Sequence, residues 1–404
     1  MKRSGYSDLP LHGGRVPAWL ADRMAHLGGA IIESVVYEFG KDEVLRRMAD
    51  PFWFQSLGCV MGMDWHSSGI TTSVIGALKK GLKSRSGDLG IYVCGGRGKH
   101  SRKTPEELLE LSDRLSLDGT ALVKASKLTA KVDNTAIQDG FQLYLHAFLV
   151  TDEGKWTVVQ QGMNNASGYA RRYHWHGPGL TSFIEEPHAA VCGLNQGLIL
   201  NLTHHDAFNT RNQVLELGKE HPSRLLPEIK KLHLPRHHDV RLTDFDLKRL
   251  GSVVALAHEQ GPSGFEDLLM IPGLGPRTLQ SLTLVSEVIY GTPSRFRDPA
   301  RYAFAHGGKD GHPFPVPLKV YDESIRILDQ AVQKAKIGQS DKLKALKQLH
   351  DRSREIEKNF QPAPENYASF IQEEWDNKNR FGGRTVMDKA DKESTPPNTQ
   401  LRLF

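Results

Sequence analysis

The chain has 404 residues, more than one compact core usually accommodates, so two or three domains are expected. Its net charge of +5 comes from 52 Lys and Arg against 47 Asp and Glu, an excess that attracts a polyanion only where cations cluster. Cys59, Cys94 and Cys192 are too widely spaced for a disulfide framework or a thiolate zinc site, and the lack of a long apolar run excludes a membrane span and favours a cytoplasmic, nucleoid-associated protein.

Residues 1–220 alternate between helical and strand-like patterns. The turn at 152–155 separates two apolar segments, 141–151 and 156–161, which predict neighbouring antiparallel strands. The same patterns predict helices over residues 18–24, 31–48, 70–82 and 104–117, and strands over 57–63, 90–94 and 198–202. We therefore predict an α/β N-terminal domain with a mixed sheet over residues 1–220.

Carboxylates and histidines lie beside these predicted strands, one group after residues 57–63 and one around the start of 141–151. Such groups can hold Mn²⁺ or Mg²⁺, which activates water for phosphodiester hydrolysis. The residues predicted to be catalytic are Asp64, Asp133, Asp139, Gln142 and His146. The predicted metal ligands are Asp64, His66, Asp139 and His146. The alternative is that Asp133 and Asp139 form turns, and that His146 is a hydrogen-bonded sheet residue.

Two cationic segments in the same domain suit nucleic acid. Residues 94–100 contain three glycines and two cations after a strand, which is typical of a phosphate-binding loop, although the spacing is not that of a P-loop. Residues 171–176 mix cations, aromatic rings and a His-x-His, which suits either single-strand contact or metal binding. We predict that Arg97, Lys99, Arg171 and Arg172 bind nucleic acid. Glu33 and the segment 204–206 stay open between a metal role and a structural one.

From residue 221 to 378 the pattern is helical and predicts an all-α DNA-binding domain. Residues 268–282 read LLMIPGLGPRTLQSL, two short apolar helices around a Gly-Leu-Gly turn, which is typical of a helix-hairpin-helix. Glycines permit the turn and let backbone amides approach a phosphate closely. The residues predicted to bind nucleic acid are Gly273, Leu274, Gly275, Arg277 and Thr278. An ordinary helical packing unit with a tight turn is the alternative.

Residues 379–404 are polar and predict a disordered tail. The tail ends in Gln-Leu-Arg-Leu-Phe, which resembles the peptide with which bacterial polymerases and repair proteins bind the DNA sliding clamp. An apolar pocket would take the last two side chains, while the glutamine would supply a hydrogen bond. The predicted partner-binding residues are Gln400, Leu401, Leu403 and Phe404.

Four segments together resemble domain-of-unknown-function family 763: PLHGGRVP at 10–17, MDWHSSG at 63–69, DNTA with QDG within 133–140, and FAHGGKDGHP at 304–313. The resemblance spans roughly residues 5 to 370. It implies a prokaryotic protein suspected of metal-dependent nuclease activity in recombinational DNA repair. It does not supply a list of catalytic residues.

These features predict a metal-dependent, structure-selective DNA nuclease that acts on single-stranded, branched or bubble DNA in repair or recombination. The alternative is a non-catalytic DNA-binding adaptor tethered to the sliding clamp, which would need neither a carboxylate cluster nor a metal. A helix-hairpin-helix glycosylase is disfavoured, because Arg277 stands where those enzymes have a catalytic lysine and arginine cannot form their Schiff base.

Overall fold

The computed structural model describes residues 16, 18–63, 68–231, 247–300 and 318–359. Its first layer is helical and consists of α1 (Ala18–Phe39), α2 (Lys41–Ala49), α3 (Pro51–Val60), α4 (Gly69–Leu82) and α5 (Ser86–Leu89). The helix predicted over 70–82 is confirmed. Residues 18–24 and 31–48 are helical as predicted, but 18–39 form one helix and the second prediction is divided at Gly40.

The strand predicted over residues 57–63 is wrong, because most of that segment belongs to α3. Asp50 caps this helix by accepting hydrogen bonds from the amides of Phe52 at 2.8 Å and Trp53 at 3.2 Å, and Pro51 stands in its first turn. Every residue of α3 is buried. A helix buried on all sides has no polar face, so its apolar run resembles that of a buried strand.

The main sheet has five strands in the order β1-β3-β4-β5-β6, and every neighbouring pair runs antiparallel. The strands are β1 (Ile91–Arg97), β3 (Gln142–Thr151), β4 (Trp156–Asn164), β5 (Tyr169–His176) and β6 (Ala190–Cys192). The predicted antiparallel pair around residues 152–155 is confirmed as β3 and β4. Helices together with a sheet in the N-terminal part are thus confirmed, but the sheet predicted to be mixed has only antiparallel pairs among the described strands.

A second, three-stranded sheet joins distant parts of the chain in the order β2-β7-β8. It consists of β2 (Ile137–Gln138), β7 (Leu198–Asn201) and β8 (Phe296–Arg297), again all antiparallel. A π-helical turn, Val132–Ala136, leads into β2 from the preceding helix α8 (Gly119–Lys131). Between β1 and α8 lie α6 (Lys99–Arg102) and α7 (Thr104–Leu115), the latter matching the helix predicted over 104–117.

The later described residues are mainly helical. They form α9 (Phe208–Lys219), α10 (Pro222–Lys231), α11 (Leu247–Gln260), α12 (Phe265–Met270), α13 (Pro276–Tyr290), α14 (Leu318–Lys334) and α15 (Gln339–Asn359). Strand β8 interrupts them and pairs with β7. Helix α13 packs against α9, which comes from the part of the chain before residue 220.

The main sheet separates two apolar cores. One face carries Leu145, Ala147 and Leu149 and packs against α1 to α4 and residues of α14 and α15. The opposite face carries Phe148 and Val150 and packs against α7, α8, α9 and α11 to α13. No helix among the described residues has the length and apolar character that crossing a membrane requires. The polar groups considered below lie between or beside these cores.

Candidate functional site

The predicted catalytic Asp133 lies in the π-helical turn and is completely buried. Its Oδ2 accepts hydrogen bonds from Gln160 Nε2 at 2.5 Å and Trp175 Nε1 at 2.9 Å, and its Oδ1 contacts His188 Nε2 at 2.5 Å. Burial raises the pKa of Asp133, while these three partners favour its charged form. Both carboxylate oxygens therefore have protein partners, and Asp133 holds neighbouring segments together.

The predicted metal ligand His146 belongs to the same network. Its Nδ1 contacts Gln160 Oε1 at 2.7 Å and its Nε2 contacts Ser126 Oγ at 2.9 Å, so both ring nitrogens have side-chain partners. Burial lowers the pKa of His146 to about 4. The structure thus joins His146 to Asp133 through Gln160, as parts of a buried hydrogen-bonded network.

The predicted ligand Asp139 lies in a separate buried network. It accepts hydrogen bonds from Arg171 Nη1 at 2.8 Å, from Tyr173 Oη at 2.7 Å and from the Phe141 amide at 3.0 Å. Burial raises the pKa of Asp139, and the Arg171 charge opposes that effect. Asp139 and His146 are not members of a common group of metal-ligating atoms within the described residues.

Arg171 and Arg172, predicted to contact nucleic acid, are completely buried on β5. Arg171 forms ion pairs with Asp139 and Asp298, both at 2.8 Å. Arg172 donates to Gln55 Oε1 at 2.9 Å and lies over the Phe54 ring. Burial gives neither side chain access to a surface, so in this structure both stabilise the interior.

Four more residues were considered for the catalytic or metal site from the sequence: Gln142, Asp64, His66 and Glu33. Gln142 is exposed at the start of β3, away from the buried networks. Asp64 and His66 lie outside the described residues. Glu33 accepts a hydrogen bond from Arg85 at 2.6 Å, so it acts as an ion-pair partner on the helical layer.

A different set of side chains has the arrangement of a metal site. Glu186, His204 and His205 each offer a ligand atom, and these atoms all lie within 4.8 Å of one another. It is the one such group found among the residues that the structure describes. Their side chains are 26%, 14% and 40% exposed, so the group is open to a substrate.

The local backbone brings these ligands together. His204 follows β7 by three residues, and the Glu186 amide donates to the Thr203 carbonyl oxygen at 2.9 Å, which aligns the two segments. Glu186 has a φ of 43°, a left-handed conformation that is unusual for a residue with a side chain. Such strain persists only where surrounding contacts impose it, as these do.

Arg211 on α9 holds the backbone beside Glu186, His204 and His205 in place. Its Nη1 donates to the His204 carbonyl oxygen at 2.8 Å and to the Leu202 carbonyl oxygen at 3.0 Å, while its Nη2 bonds Glu185 Oε2 at 3.0 Å. The guanidinium thus joins the segments that precede both His204 and Glu186. The contact of His188 with Asp133 fixes the same loop two residues after Glu186.

The imidazole rings are also positioned by stacking. The His204 and His205 rings lie 4.3 Å apart at 27°, and the Phe296 ring of β8 lies 6.0 Å from that of His204. His205 Nδ1 lies 3.2 Å from Glu186 Oε1, and its Nε2 lies 3.0 Å from Asp206 Oδ1. Two imidazoles and one or two carboxylates converge here, a donor set that suits a transition-metal ion with positions left for water and substrate.

The glycine turn predicted to bind DNA lies between α12 and α13. Gly273 has a φ of 84°, and Gly275 precedes α13, which begins at Pro276 without a side-chain cap. No side chain therefore caps the amides that follow Pro276 in the first turn. Lys131 Nζ donates to the Leu274 carbonyl oxygen at 2.6 Å, and Gln138 Nε2 donates to the Pro276 carbonyl oxygen at 2.8 Å. Burial lowers the pKa of Lys131.

Strand β2 connects the turn to the candidate metal centre. Gln138 contacts the turn, while its neighbour Ile137 pairs with Asn201 on β7. The chain then continues from Asn201 through two residues to His204. Turn and metal centre are therefore both linked to the same two-residue strand.

Sequence reasoning noticed the segment 204–206 but not Glu186. Glu186 lies in an irregular loop 18 residues before His204, and neither spacing nor periodicity links the two. The one signal was chemical, a pair of adjacent histidines after an apolar strand. The hydrogen bond to Thr203 that completes the group is a tertiary contact.

Comparison with known proteins identifies a single family. The model of the family described as "Protein of unknown function (DUF763)" matches residues 5–316. No curated protein and no solved structure matches the chain.

Proposed function

The chain belongs to the DUF763 family, and we propose that it is a metal-dependent, structure-selective DNA nuclease acting in repair or recombination. The observation that carries this proposal is the convergence of ligand atoms from Glu186, His204 and His205 within 4.8 Å. A ligand set of this kind, partly exposed and supported by Arg211, provides a place where water can be activated beside a phosphodiester.

In the proposed reaction the three side chains would hold a divalent ion, which would supply an activated water and stabilise charge on the phosphate. His204 and Glu186 fix its position, because Arg211 and Thr203 fix them in turn. Asp206 lies 3.0 Å from His205 and can orient that ring, as carboxylates do around metal-bound histidines. Hydrolysis breaks one phosphorus–oxygen bond and adds water across it.

The ligand chemistry favours Mn²⁺ over Mg²⁺. Mg²⁺ prefers oxygen ligands and retains its waters, whereas imidazole nitrogen suits first-row transition metals. Two of the three ligands here are imidazoles. Of the two ions considered from the sequence, Mn²⁺ is therefore proposed as the more effective cofactor.

DNA is proposed to lie against the turn at Gly273–Pro276, acting as a helix-hairpin-helix. Gly275, Arg277 and Thr278 would contact the phosphate backbone through amides and one cation, a contact that does not depend on base sequence. The predicted Leu274 is buried, and its amide already donates to the Ile271 carbonyl oxygen at 3.1 Å. The short strand β2 joins this turn to the metal centre. Because the turn would bind the phosphate backbone of the DNA beside the metal ion, the enzyme would select its substrates by DNA structure and not by base sequence.

The C-terminal peptide is proposed to bind the bacterial sliding clamp through Gln400, Leu401, Leu403 and Phe404. These residues lie outside the described part of the chain. The proposal rests on the sequence, and a tether of this kind would raise the local concentration of the enzyme on replicating DNA.

The proposal is tested by cleavage of end-labelled single-stranded, duplex, flap and bubble DNA with Mn²⁺, Mg²⁺ or EDTA. We expect cleavage with Mn²⁺, less with Mg²⁺ and none with EDTA. Glu186→Gln should lower the rate by about 100-fold or more, because a neutral amide replaces a charged ligand. Glu216→Gln, an exposed glutamate on α9, is the matched control and should cleave normally.

A second pair of variants isolates the histidines. His204→Ala with His205→Ala should abolish cleavage, whereas His221→Ala with His258→Ala, an exposed edge-to-face pair elsewhere, should not. Wild-type cleavage by Glu186→Gln would disprove the assignment of the site. DNA binding without cleavage in any metal would leave the clamp-tethered adaptor as the better account.

A further inference from the structure

The end of β1 and helix α6 present a dense group of cations. Arg97, Lys99, Arg102 and Lys103 fall within seven residues, and all four side chains are exposed. Within the described part of the chain, none of them has a carboxylate partner. The neighbouring Glu107 is already paired with Lys79 at 2.7 Å. We call these four cations the basic loop.

The fold holds the basic loop in a defined shape. Gly95 and Gly96, at the end of β1, have φ values of 83° and 134°, and Gly98, directly after the strand, has a φ of 61°, all conformations that favour glycine. The Gly98 amide donates to the Tyr144 carbonyl oxygen at 2.8 Å. The Arg97 guanidinium lies 5.8 Å from the centroid of the Tyr144 ring. Because the loop is already ordered, its cations lose less conformational entropy on binding an anion than the cations of a flexible loop would.

The basic loop and the turn at Gly273–Pro276 are linked by short contacts. Tyr144 contacts the loop, and the amide of the preceding Leu143 donates to Asn134 Oδ1 at 3.4 Å. Asn134 lies one helical turn after Lys131, whose Nζ reaches the Leu274 carbonyl oxygen at 2.6 Å. Residue spacings and side-chain lengths along this path give an upper limit of about 33 Å between the two surfaces.

We propose that the basic loop is a second DNA-backbone site, and that one DNA molecule contacts it together with the turn at Gly273–Pro276. The inference rests on the proposed function for the identity of the polyanion. A separation of up to about 33 Å corresponds to at most roughly ten base pairs at 3.4 Å each. The substrate is therefore a DNA long enough to reach both surfaces, and each surface binds phosphate without reading bases.

Binding through two surfaces has a measurable length dependence. A stem-loop DNA of about 20 base pairs, roughly 68 Å long, can reach both surfaces, whereas one of about 5 base pairs, roughly 17 Å long, has few phosphates left for a second surface. The longer DNA should then bind far more tightly than its extra length alone explains, because its second contact is intramolecular. Removing charge from the basic loop should eliminate this gain.

The test measures binding of both stem-loops by fluorescence anisotropy in EDTA, at several salt concentrations. Lys99→Gln with Lys103→Gln should weaken binding of the long DNA by about 10-fold or more. It should also lower the slope of log K against log salt by roughly 2, about 0.9 for each lost phosphate contact. Arg97→Gln with Arg102→Gln should give the same result independently.

The matched control is Lys344→Gln with Lys347→Gln, which removes two exposed lysines from α15. It should leave both the salt slope and the length dependence unchanged. Equal losses in the control and in the basic-loop variants would overturn the proposal. Since EDTA prevents metal-dependent cleavage, binding that depends on the basic loop can hold even if the nuclease proposal fails, and the reverse is also true.

Discussion

At the scale of single residues, His146 shows how burial fixes a protonation state. Both ring nitrogens contact uncharged partners, Ser126 and Gln160, and burial lowers the pKa of His146 to about 4. An unfolded histidine titrates near 6.5. Between these values the unfolded chain binds a proton that the folded chain does not, so acid favours unfolding.

The free energy of unfolding should therefore decrease as the pH falls from about 6.5 to about 4. The contribution of His146 is about 3 kcal/mol, at 1.36 kcal/mol for each pKa unit. Above pH 6.5 this contribution is fully present. His146→Gln keeps hydrogen-bonding groups but removes the titration, so its free energy of unfolding should depend less on pH over this range.

Urea unfolding at several pH values checks this difference, with His100→Gln at an exposed position as the control. The control should show the pH dependence of the wild-type protein. A His146→Gln curve that runs parallel to wild type from pH 4 to 6.5 would contradict the account.

The largest differences between prediction and structure concern the roles of single residues. Arg171 and Arg172 looked like nucleic-acid contacts, since a run of cations and aromatic rings suits that role. Their burial depends on Asp298, which lies 127 residues beyond Arg171, and on Gln55 in α3. No local pattern reports partners so far along the chain. Asp133 and Asp139 were predicted to be catalytic because carboxylates beside a strand suit a metal site, but both are buried and hydrogen-bonded to other side chains.

At the scale of elements, the helical layer depends on the close approach of α1 and α4. A Cβ atom added at Gly81 would lie 2.0 Å from the Ala25 carbonyl oxygen, and one at Gly29 would lie 2.8 Å from the Gly81 carbonyl oxygen. Cβ atoms essentially never lie within 3.0 Å of another heavy atom, so the two helices would have to separate to accept either side chain. The small residues at this crossing therefore determine how tightly the layer packs.

Gly81→Ala should destabilise the protein by about 3 kcal/mol, the upper end for overpacking, because backbone and not a flexible side chain opposes the new atom. Gly76 lies on the same helix with no atom within 4 Å of its added Cβ. Gly76→Ala should raise stability by up to about 1 kcal/mol through helix propensity. Thermal unfolding compares the two, and a Gly81→Ala variant as stable as Gly76→Ala would refute the packing argument.

Helix α3 shows why a short apolar segment does not by itself distinguish a helix from a strand. The segment 57–63 is apolar and short, and such a run fits a buried strand or a buried helix equally well. The deciding signals lay upstream, in Asp50 as cap and Pro51 in the first turn. The amphipathic helices and the hairpin of β3 and β4 were predictable, because one polar face or one turn sequence marked each of them.

At the scale of the whole molecule, the proposed DNA contacts, metal centre and clamp peptide belong to one chain. Changing Leu403 and Phe404 to Ala should lower affinity for a purified bacterial sliding clamp by about 10-fold or more, because apolar anchors dominate such interfaces. Arg402→Ala is the matched control, since that residue is not part of the predicted contact.

The same variants should cleave short DNA at the wild-type rate, because a tether changes local concentration and not chemistry. Clamp affinity by surface plasmon resonance and cleavage of a short flap give the two readings. An unchanged affinity after loss of Leu403 and Phe404 would exclude the peptide as the docking element.

Membership of the family was predictable from four sequence segments and is confirmed over residues 5–316. The pairing of β7 with β8 was not predictable, because the strands are separated by about a hundred residues and β8 has only two. The candidate metal centre depends on that same tertiary arrangement, with Phe296 of β8 against His204. Sequence therefore indicated elements and chemistry, while the long-range contacts decided which groups meet.

The most direct test of the central claim is the location of a metal ion in crystals grown with Mn²⁺. An anomalous difference map at the manganese edge should show a peak about 2 Å from a Glu186 oxygen and from one ring nitrogen each of His204 and His205. The peak should be missing in Glu186→Gln crystals. A manganese peak held by other residues, with none at Glu186, His204 and His205, would contradict the account.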